Sequence, residues 1–239
     1  MADSMSAKRY NLAIETSGRV GGVCLGAGDT VLGSERLPAQ QRHAIQLMPA
    51  IDRLVRTNGF EPAACEAVYV SVGPGSFTGL RIGVTAAKAL ARVSGATIAA
   101  VPTLDVIVEN VPADKVRVAV CLNAKRGQCF TGIYERGDET WRRVTEPDLL
   151  TVEQVMAHEP VAVVGDEHVI EQLDWPGSIE CLDPRMSEPR SEVVWRLGRA
   201  MVSAGEATDA YALAPRYVRL PETEEVWQNK ETAARQASR

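Results

Sequence analysis

The 239-residue chain is 45% apolar and 24% charged, the balance of a globular protein long enough for one large domain or two small ones. No apolar run approaches the ~18 residues of a membrane helix, and no apolar segment follows Lys8 and Arg9, so neither a membrane span nor a secretory signal is expected. A formal net charge of −5 excludes a protein that grips nucleic acid through overall basicity, while leaving room for a local basic patch.

In chain order, three strand signals come first, over residues 10–15, 20–26 and 30–37. The turns between them, 16–19 and Gly28-Asp29, make this a meander. A helix is predicted over 40–57, ended by Asn58-Gly59, with Pro49 inside it as a source of a kink. A strand at 67–72 runs into the glycine-rich turn Gly73-Pro74-Gly75-Ser76-Phe77-Thr78, which opens a second helix to about Val93. Gly95 breaks it before a strand at 97–101. The second half repeats this layout. Strands are predicted at 116–122, 129–135 and 140–144, and a capping-box helix starts at Thr151 with Gln154 three residues on. Strands follow at 161–164 and 178–182, then a helix over 191–204 closed by Gly205. Three strands, helix, strand, helix occurring twice predicts an α/β protein of two related βββαβα subdomains. They are placed at 1–108 and 109–219, with a hinge near 101–114 and a polar tail over 220–239.

Five scattered cysteines, Cys24, Cys65, Cys121, Cys129 and Cys181, include no C-x-x-C pair, which suits reduced, buried thiols in the cytoplasm. The three histidines, His43, His158 and His168, lie at no metal-ligand spacing. Leu47 stands four residues after His43, so no metal site and no bound zinc or iron are expected.

A strand entering glycines and then a helix can cradle phosphate, but residues 73–79 lack the Lys-Ser/Thr of a Walker loop and the spacing of a dinucleotide turn. Pro74 also removes an N–H donor. The alternative is a tight strand-to-helix turn capped by Ser76 or Thr78. Glu15-Thr16-Ser17 places a carboxylate and two hydroxyls at the first turn, which suits either a metal–phosphate pair or a polar hairpin. Asn123-Ala124-Lys125-Arg126-Gly127 is a basic hairpin tip.

The strongest signal is a pair of helices. Between Gly79 and Val93 the polar side chains Arg81, Thr85, Lys88 and Arg92 fall within about 40° of one another on the helical wheel, and everything else is apolar or glycine. In the helix over 40–57, Ala44, Ile45, Leu47, Met48, Ala50, Ile51, Leu54 and Val55 span about 220°. A helix over a sheet needs less apolar surface, so a partner-binding helical face is expected, the alternative being cover from the second α/β unit.

The run Ser71-Val72-Gly73-Pro74-Gly75-Ser76-Phe77-Thr78-Gly79-Leu80-Arg81-Ile82-Gly83 closely resembles the signature of the TsaB (YeaZ) family. Similar agreement extends along almost the whole chain: Leu12 to Ser17, His43 to Leu54, Asn123 to Gly127, and Pro215 to Arg219 with Trp227. Two positions depart from the family pattern, Glu15 and Asn123, where the family usually has Asp. The resemblance implies an actin-like ATPase fold and a part in forming N6-threonylcarbamoyladenosine in tRNA. In that pathway the TsaB-like chain is non-catalytic and carries no cofactor. It pairs through its first two helices with the catalytic paralogue TsaD, is joined by the ATPase TsaE, and meets tRNA only via the complex, while TsaC supplies threonylcarbamoyl-adenylate. Leu47, Ile51, Leu54, Gly79, Gly83, Ala87 and Leu90 are the expected interface residues. Three alternatives remain: a homodimer through the same helices when TsaD is absent, an ATP-dependent phosphotransferase, and a protease.

Overall fold

The computed structural model describes residues 8–38, 43–138 and 140–217. Residues 40–42 of the first predicted helix, the tail over 220–239, and Val218, Arg219 and Trp227 of the C-terminal motif lie outside the described residues.

The first sheet begins with the antiparallel meander β1 (Tyr10–Glu15), β2 (Gly21–Ala27) and β3 (Thr30–Leu37). Helix α1 (His43–Thr57) leads to β4 (Cys65–Ser71), and α2 (Phe77–Ser94) leads to β5 (Thr97–Val101). Strands β4 and β5 add in parallel beside β1, giving the order β3-β2-β1-β4-β5. After α3 (Thr103–Val108), the second sheet is built from β6 (Arg117–Asn123), β7 (Cys129–Arg136), β8 (Trp141–Arg143), β10 (Ala162–Gly165) and β11 (Glu180–Cys181), in the order β11-β10-β6-β7-β8. The short β9 (Asp148–Leu150) pairs with β7. Helices α4 (Val152–Met156), α5 (Glu167–Gln172) and α6 (Ser191–Ser203) complete the chain.

Strand alternation decides what lies on each face. Leu12, Ile14, Val23, Leu25, Val68, Val70, Ile98 and Ala100 point to one side of the first sheet, under α1 and α2. Ala13, Cys24, Tyr69, Ala99 and Val101 point to the other side and meet Val193, Val194 and Trp195 of α6. The second sheet repeats the arrangement. Val118, Val120 and Val164 pack on Leu104, Ile107 and Val108 of α3, whereas Ala119, Cys121, Ile133 and Val163 pack on Val155 of α4 and Val169 of α5. The segment expected to be a hinge therefore carries α3, a buried helix.

The last helix crosses back. Although α6 follows the second sheet in sequence, it packs on β1, β2, β4 and β5 of the first. The chain beyond it stays there. The Thr208 N–H donates to the Ile98 carbonyl, Leu213 is buried in the core under α1 and α2, and the Arg216 N–H donates to the Val72 carbonyl. Residues 191–217 thus belong spatially to the first sheet, not to the second as the division at 108/109 had placed them.

Local chemistry agrees with these boundaries. Ser76 caps α2, its hydroxyl accepting from the Gly79 N–H at 3.2 Å, and Gly95 ends the helix in the left-handed region. Thr151 and Gln154 form the expected capping box. Cys24, Cys65, Cys121 and Cys129 are buried free thiols, and burial pushes Cys24 and Cys65 up to about 12. Cys181 differs: it lies exposed on a two-residue edge strand.

The inner surface of α2 is core. Ala87 is fully buried between the helix and the sheet. An Ala87→Glu chain must bury an unpaired charge, at about 3–5 kcal/mol. At about 2–4 °C per kcal/mol for a chain of this size, the melting temperature should fall by roughly 10 °C. A thermal melt of the variant beside wild type checks this, and an unchanged melting temperature would contradict the assignment.

Candidate functional site

The first β-turn and the N-terminus of α2 are pressed together. A Cβ at Gly79 would run into the Thr16 carbonyl oxygen, and one at Gly83 would run into the Thr16 hydroxyl. Only glycine allows that approach, and it is held by hydrogen bonds. The Thr16 hydroxyl donates to the Gly79 carbonyl at 2.8 Å, and the Ser76 N–H donates to the Ser17 carbonyl at 2.7 Å. The glycine-rich run is thus a close-packing device between α2 and the end of β1.

Glu15 ends β1 fully buried beneath this junction. Its carboxylate accepts from the Ser17 N–H and the Ser17 hydroxyl, each at 2.5 Å, and from the Ser71 hydroxyl. Desolvation dominates its titration and raises its pKa above the ordinary carboxylate value, with the bonds from Ser17 and Ser71 opposing.

Between the two sheets lies a cleft of about 970 Å³. Ile82, Ile107, Leu122 and Phe130 give it apolar wall, and Ser17, Arg19, Ser76, Asp166, His168 and Arg185 give it polar rim. The size suits a nucleotide, but several of its donors are already engaged. The turn N–H and hydroxyl of Ser17 are taken by Glu15. On the opposite hairpin the Asn123 N–H donates to Asp166 at 2.8 Å, and the Lys125 N–H donates to the Asn123 side chain at 2.7 Å. Two carboxylates of the chain itself, Glu15 and Asp166, thus take backbone donors that a bound phosphate could otherwise have used. Among the described residues no group of three or more His, Cys, Asp or Glu side chains is placed to hold a metal ion. His168 lies in the cleft, while the backbone carbonyl of His158 accepts from Arg117 at the far side of the second sheet.

The expected interface residues are mostly interior. Leu47 is 1% exposed, Ile51 4% and Ala87 0%, and Gly79 and Gly83 are buried under α2; Leu54 and Leu90 are half-buried against the same core. In the folded chain the first five offer no surface to a partner. The physical reason is that α2 is covered on three sides: by the sheet, by α1, and by the chain over 211–217. That last segment lies on the polar stripe, where Lys88 Nζ donates to the Leu213 carbonyl at 3.0 Å, Arg81 to the Tyr217 hydroxyl, and Arg92 to the Tyr211 hydroxyl. The free apolar surface sits one step round the wheel. Ile45 is 71% exposed and Met48 48% on α1. On α2, Val93 is 84% exposed, Ala89 is exposed, and Ile82 and Ala86 are half-buried. The wheel shows how wide the apolar arcs are; which of their residues face outward depends on the positions of the neighbours.

Comparison with known proteins places this arrangement. The family model described as TsaD, tRNA N6-adenosine threonylcarbamoyltransferase, matches residues 37–233. The tRNA threonylcarbamoyladenosine biosynthesis protein TsaB of Bacillus subtilis (strain 168) is 32% identical over 231 residues, covering 90% of this chain and 96% of that one. The chain belongs to the TsaB family. The Escherichia coli (strain K12) TsaB is 27% identical over 69% of this chain and 71% of its own. A crystal structure from Pseudomonas aeruginosa, described as an uncharacterized protein with similarity to peptidase YEAZ, superposes with a TM-score of 0.75. It is 25% identical and covers 88% of this chain and 100% of that one. The two-sheet architecture is accordingly the actin-like ATPase fold.

Within this TsaB-family fold the sealed carboxylate has a measurable signature. Because the folded pKa of Glu15 is raised, its contribution is complete below the unfolded value and is lost as pH rises toward the folded one. In that window each pH unit costs up to about tenfold in the unfolding equilibrium. Melting temperatures measured from pH 4.5 to 8 should show Glu15→Gln gaining on wild type as pH rises. A constant difference, or wild type gaining on the variant, would contradict a carboxyl buried at a cost.

Proposed function

We propose that this chain is a non-catalytic subunit in the formation of threonylcarbamoyladenosine in tRNA. It docks α1 and α2 against a TsaD-like catalytic chain and holds that chain in its active assembly. The observation that carries the proposal is the outward set Ile45, Met48, Ala89 and Val93 on two helices that pack against one another over one sheet. Burying each large apolar side chain in an interface is worth about 1.5–3 kcal/mol, so a few of them support a stable contact. The names of the matched relatives supply the pathway, and the TsaD description of the family model supports a paralogous partner of the same fold. The engagement of the Ser17 and Asn123 N–H groups by the chain's own carboxylates supports a role without turnover. A TsaE-like ATPase then brings the nucleotide to the assembly, tRNA is engaged within the complex, and the setting is the cytoplasm. In the absence of the catalytic chain the same face serves a second copy of this one.

Ile45→Glu and Val93→Glu test the contact. Both positions face solvent, so the variants should melt within a few degrees of wild type. In the complex each charge loses its water without a counter-ion, at a cost of several kcal/mol. With tenfold in affinity for every 1.4 kcal/mol, pairing with the cognate TsaD-like chain should weaken about a hundredfold in a pull-down or by calorimetry. Folded variants that pair normally would mean that this face is not the contact. Calorimetric titration of the isolated chain with Mg-ATP should show no saturable binding in the micromolar range; a micromolar dissociation constant would revive the phosphotransferase alternative.

A further inference from the structure

The outer stripe of α2 and the strap over 211–217 together form a basic, aromatic strip. Arg81 Nε donates to the Tyr217 hydroxyl at 3.1 Å, and its guanidinium lies 3.8 Å from the Phe77 ring centroid; Phe77 and Tyr217 have their rings 4.7 Å apart. Lys88 donates to the carbonyls of Leu213 and Tyr211, and Arg92 donates to the Tyr211 hydroxyl at 2.9 Å. Arg216 stands exposed on the strap. Among the described residues, Arg81, Lys88 and Arg92 hydrogen-bond only neutral oxygens. Most of the other described cations differ: Arg36, Arg53, Arg56, Lys115, Arg117, Arg142, Arg143, Arg185, Arg196 and Arg199 each pair with a carboxylate, while Arg136 bonds backbone carbonyls beside the Trp141 ring. Helix α2 contains no acidic residue. The one acid of the chain between 207 and 217, Asp209, turns its carboxylate onto the N–H groups of Tyr211 and Ala212.

A chain with net charge −5 thus carries on one helix a row of positive charge that has no carboxylate partner among the described residues. From Arg81 to Arg92 the row is about 17 Å long at 1.5 Å per residue, the length of roughly five nucleotides of one strand. Tyr211, 80% exposed beside it, offers a ring on which an unstacked base can lie. On the wheel the strip adjoins the apolar face of Ala89 and Val93, so whatever binds it lies next to the docked catalytic chain.

We infer that this strip is a contact for the phosphate backbone of the tRNA, made by this subunit itself at the edge of the proposed pairing face. The inference rests on the pairing proposed above for its context, and on these cations for its substance. Phosphates would accept from Arg81, Arg92 and Arg216 without those side chains having to leave a carboxylate.

The test is a titration of unmodified tRNA transcript against the chain paired with its TsaD-like relative, followed by anisotropy from 50 to 200 mM salt. Pairing and melting temperature are measured on the same preparations. The double variant Arg81→Gln, Arg92→Gln should bind about tenfold more weakly at 100 mM salt. Its dependence of log affinity on log salt should be shallower by about 1.5, the signature of two lost phosphate contacts. Tyr211→Ala should weaken binding severalfold with the salt slope unchanged, since stacking releases no counter-ion. Arg142→Gln, on the second sheet, should change neither quantity. The inference is overturned if the double variant keeps wild-type affinity and slope, if Arg142→Gln weakens binding equally, or if the double variant loses pairing, which would make the strip a protein contact. Should wild type fail to pair, the proposed function falls, and the same titration on the chain alone still decides the strip.

Discussion

The contact between the N-terminus of α2 and the turn after β1 sets the rest of the structure. Gly79 and Gly83 let the helix backbone touch Thr16, with no space for a Cβ at either position. Once seated, the helix closes the turn from outside while Glu15 fills it from inside, taking the donors of Ser17 and Ser71. The same junction thus engages the Ser17 and Ser71 donors and fixes which side of α2 turns outward.

That outward side divides into two chemistries. One part is apolar, with Ala89 and Val93 exposed, as Ile45 and Met48 are on the neighbouring α1; the other is the stripe of Arg81, Lys88 and Arg92 lying under the strap. The strap is where the fold departs most from two independent halves. Residues 191–217 leave the second sheet and pack on the first, with α6 on one face and Leu213 on the other. The chain consequently passes between the two sheets twice, through α3 and again on its return into α6.

Much of this was legible in the sequence. The meander, the strands β4 and β5, the capped helices and the repeated layout followed from turn residues, caps and periodicity, because those signals are local. Helix α3 was missed because six residues between Pro102 and the turn at 109–111 carry too little periodicity to separate a buried helix from a hinge. A wheel shows the width of an apolar arc and nothing of what covers it, so Leu47, Ile51 and Ala87 read as interface in the sequence and are interior in the structure. The segment that covers α2 comes from more than a hundred residues later, where Tyr211 and Leu213 meet Lys88. Ile45 and Val93, the residues actually free, carry no mark in the sequence that separates them from the buried members of the same arcs. The role of the glycine run was half legible: its turn and cap were read from spacing, but its contact with Thr16 joins residues 63 positions apart.

Hydroxyl-radical footprinting of the chain with and without its TsaD-like relative, and with and without Mg-ATP, tests the central claim that the surface of α1 and α2 is functional while the turn after β1 is sealed. Oxidation of Ile45, Met48 and Val93 should fall sharply when the relative is added, and no residue from Ser17 to Arg19 should be protected by Mg-ATP. Unchanged oxidation of those three side chains in the complex, or protection of the turn by nucleotide alone, would contradict it.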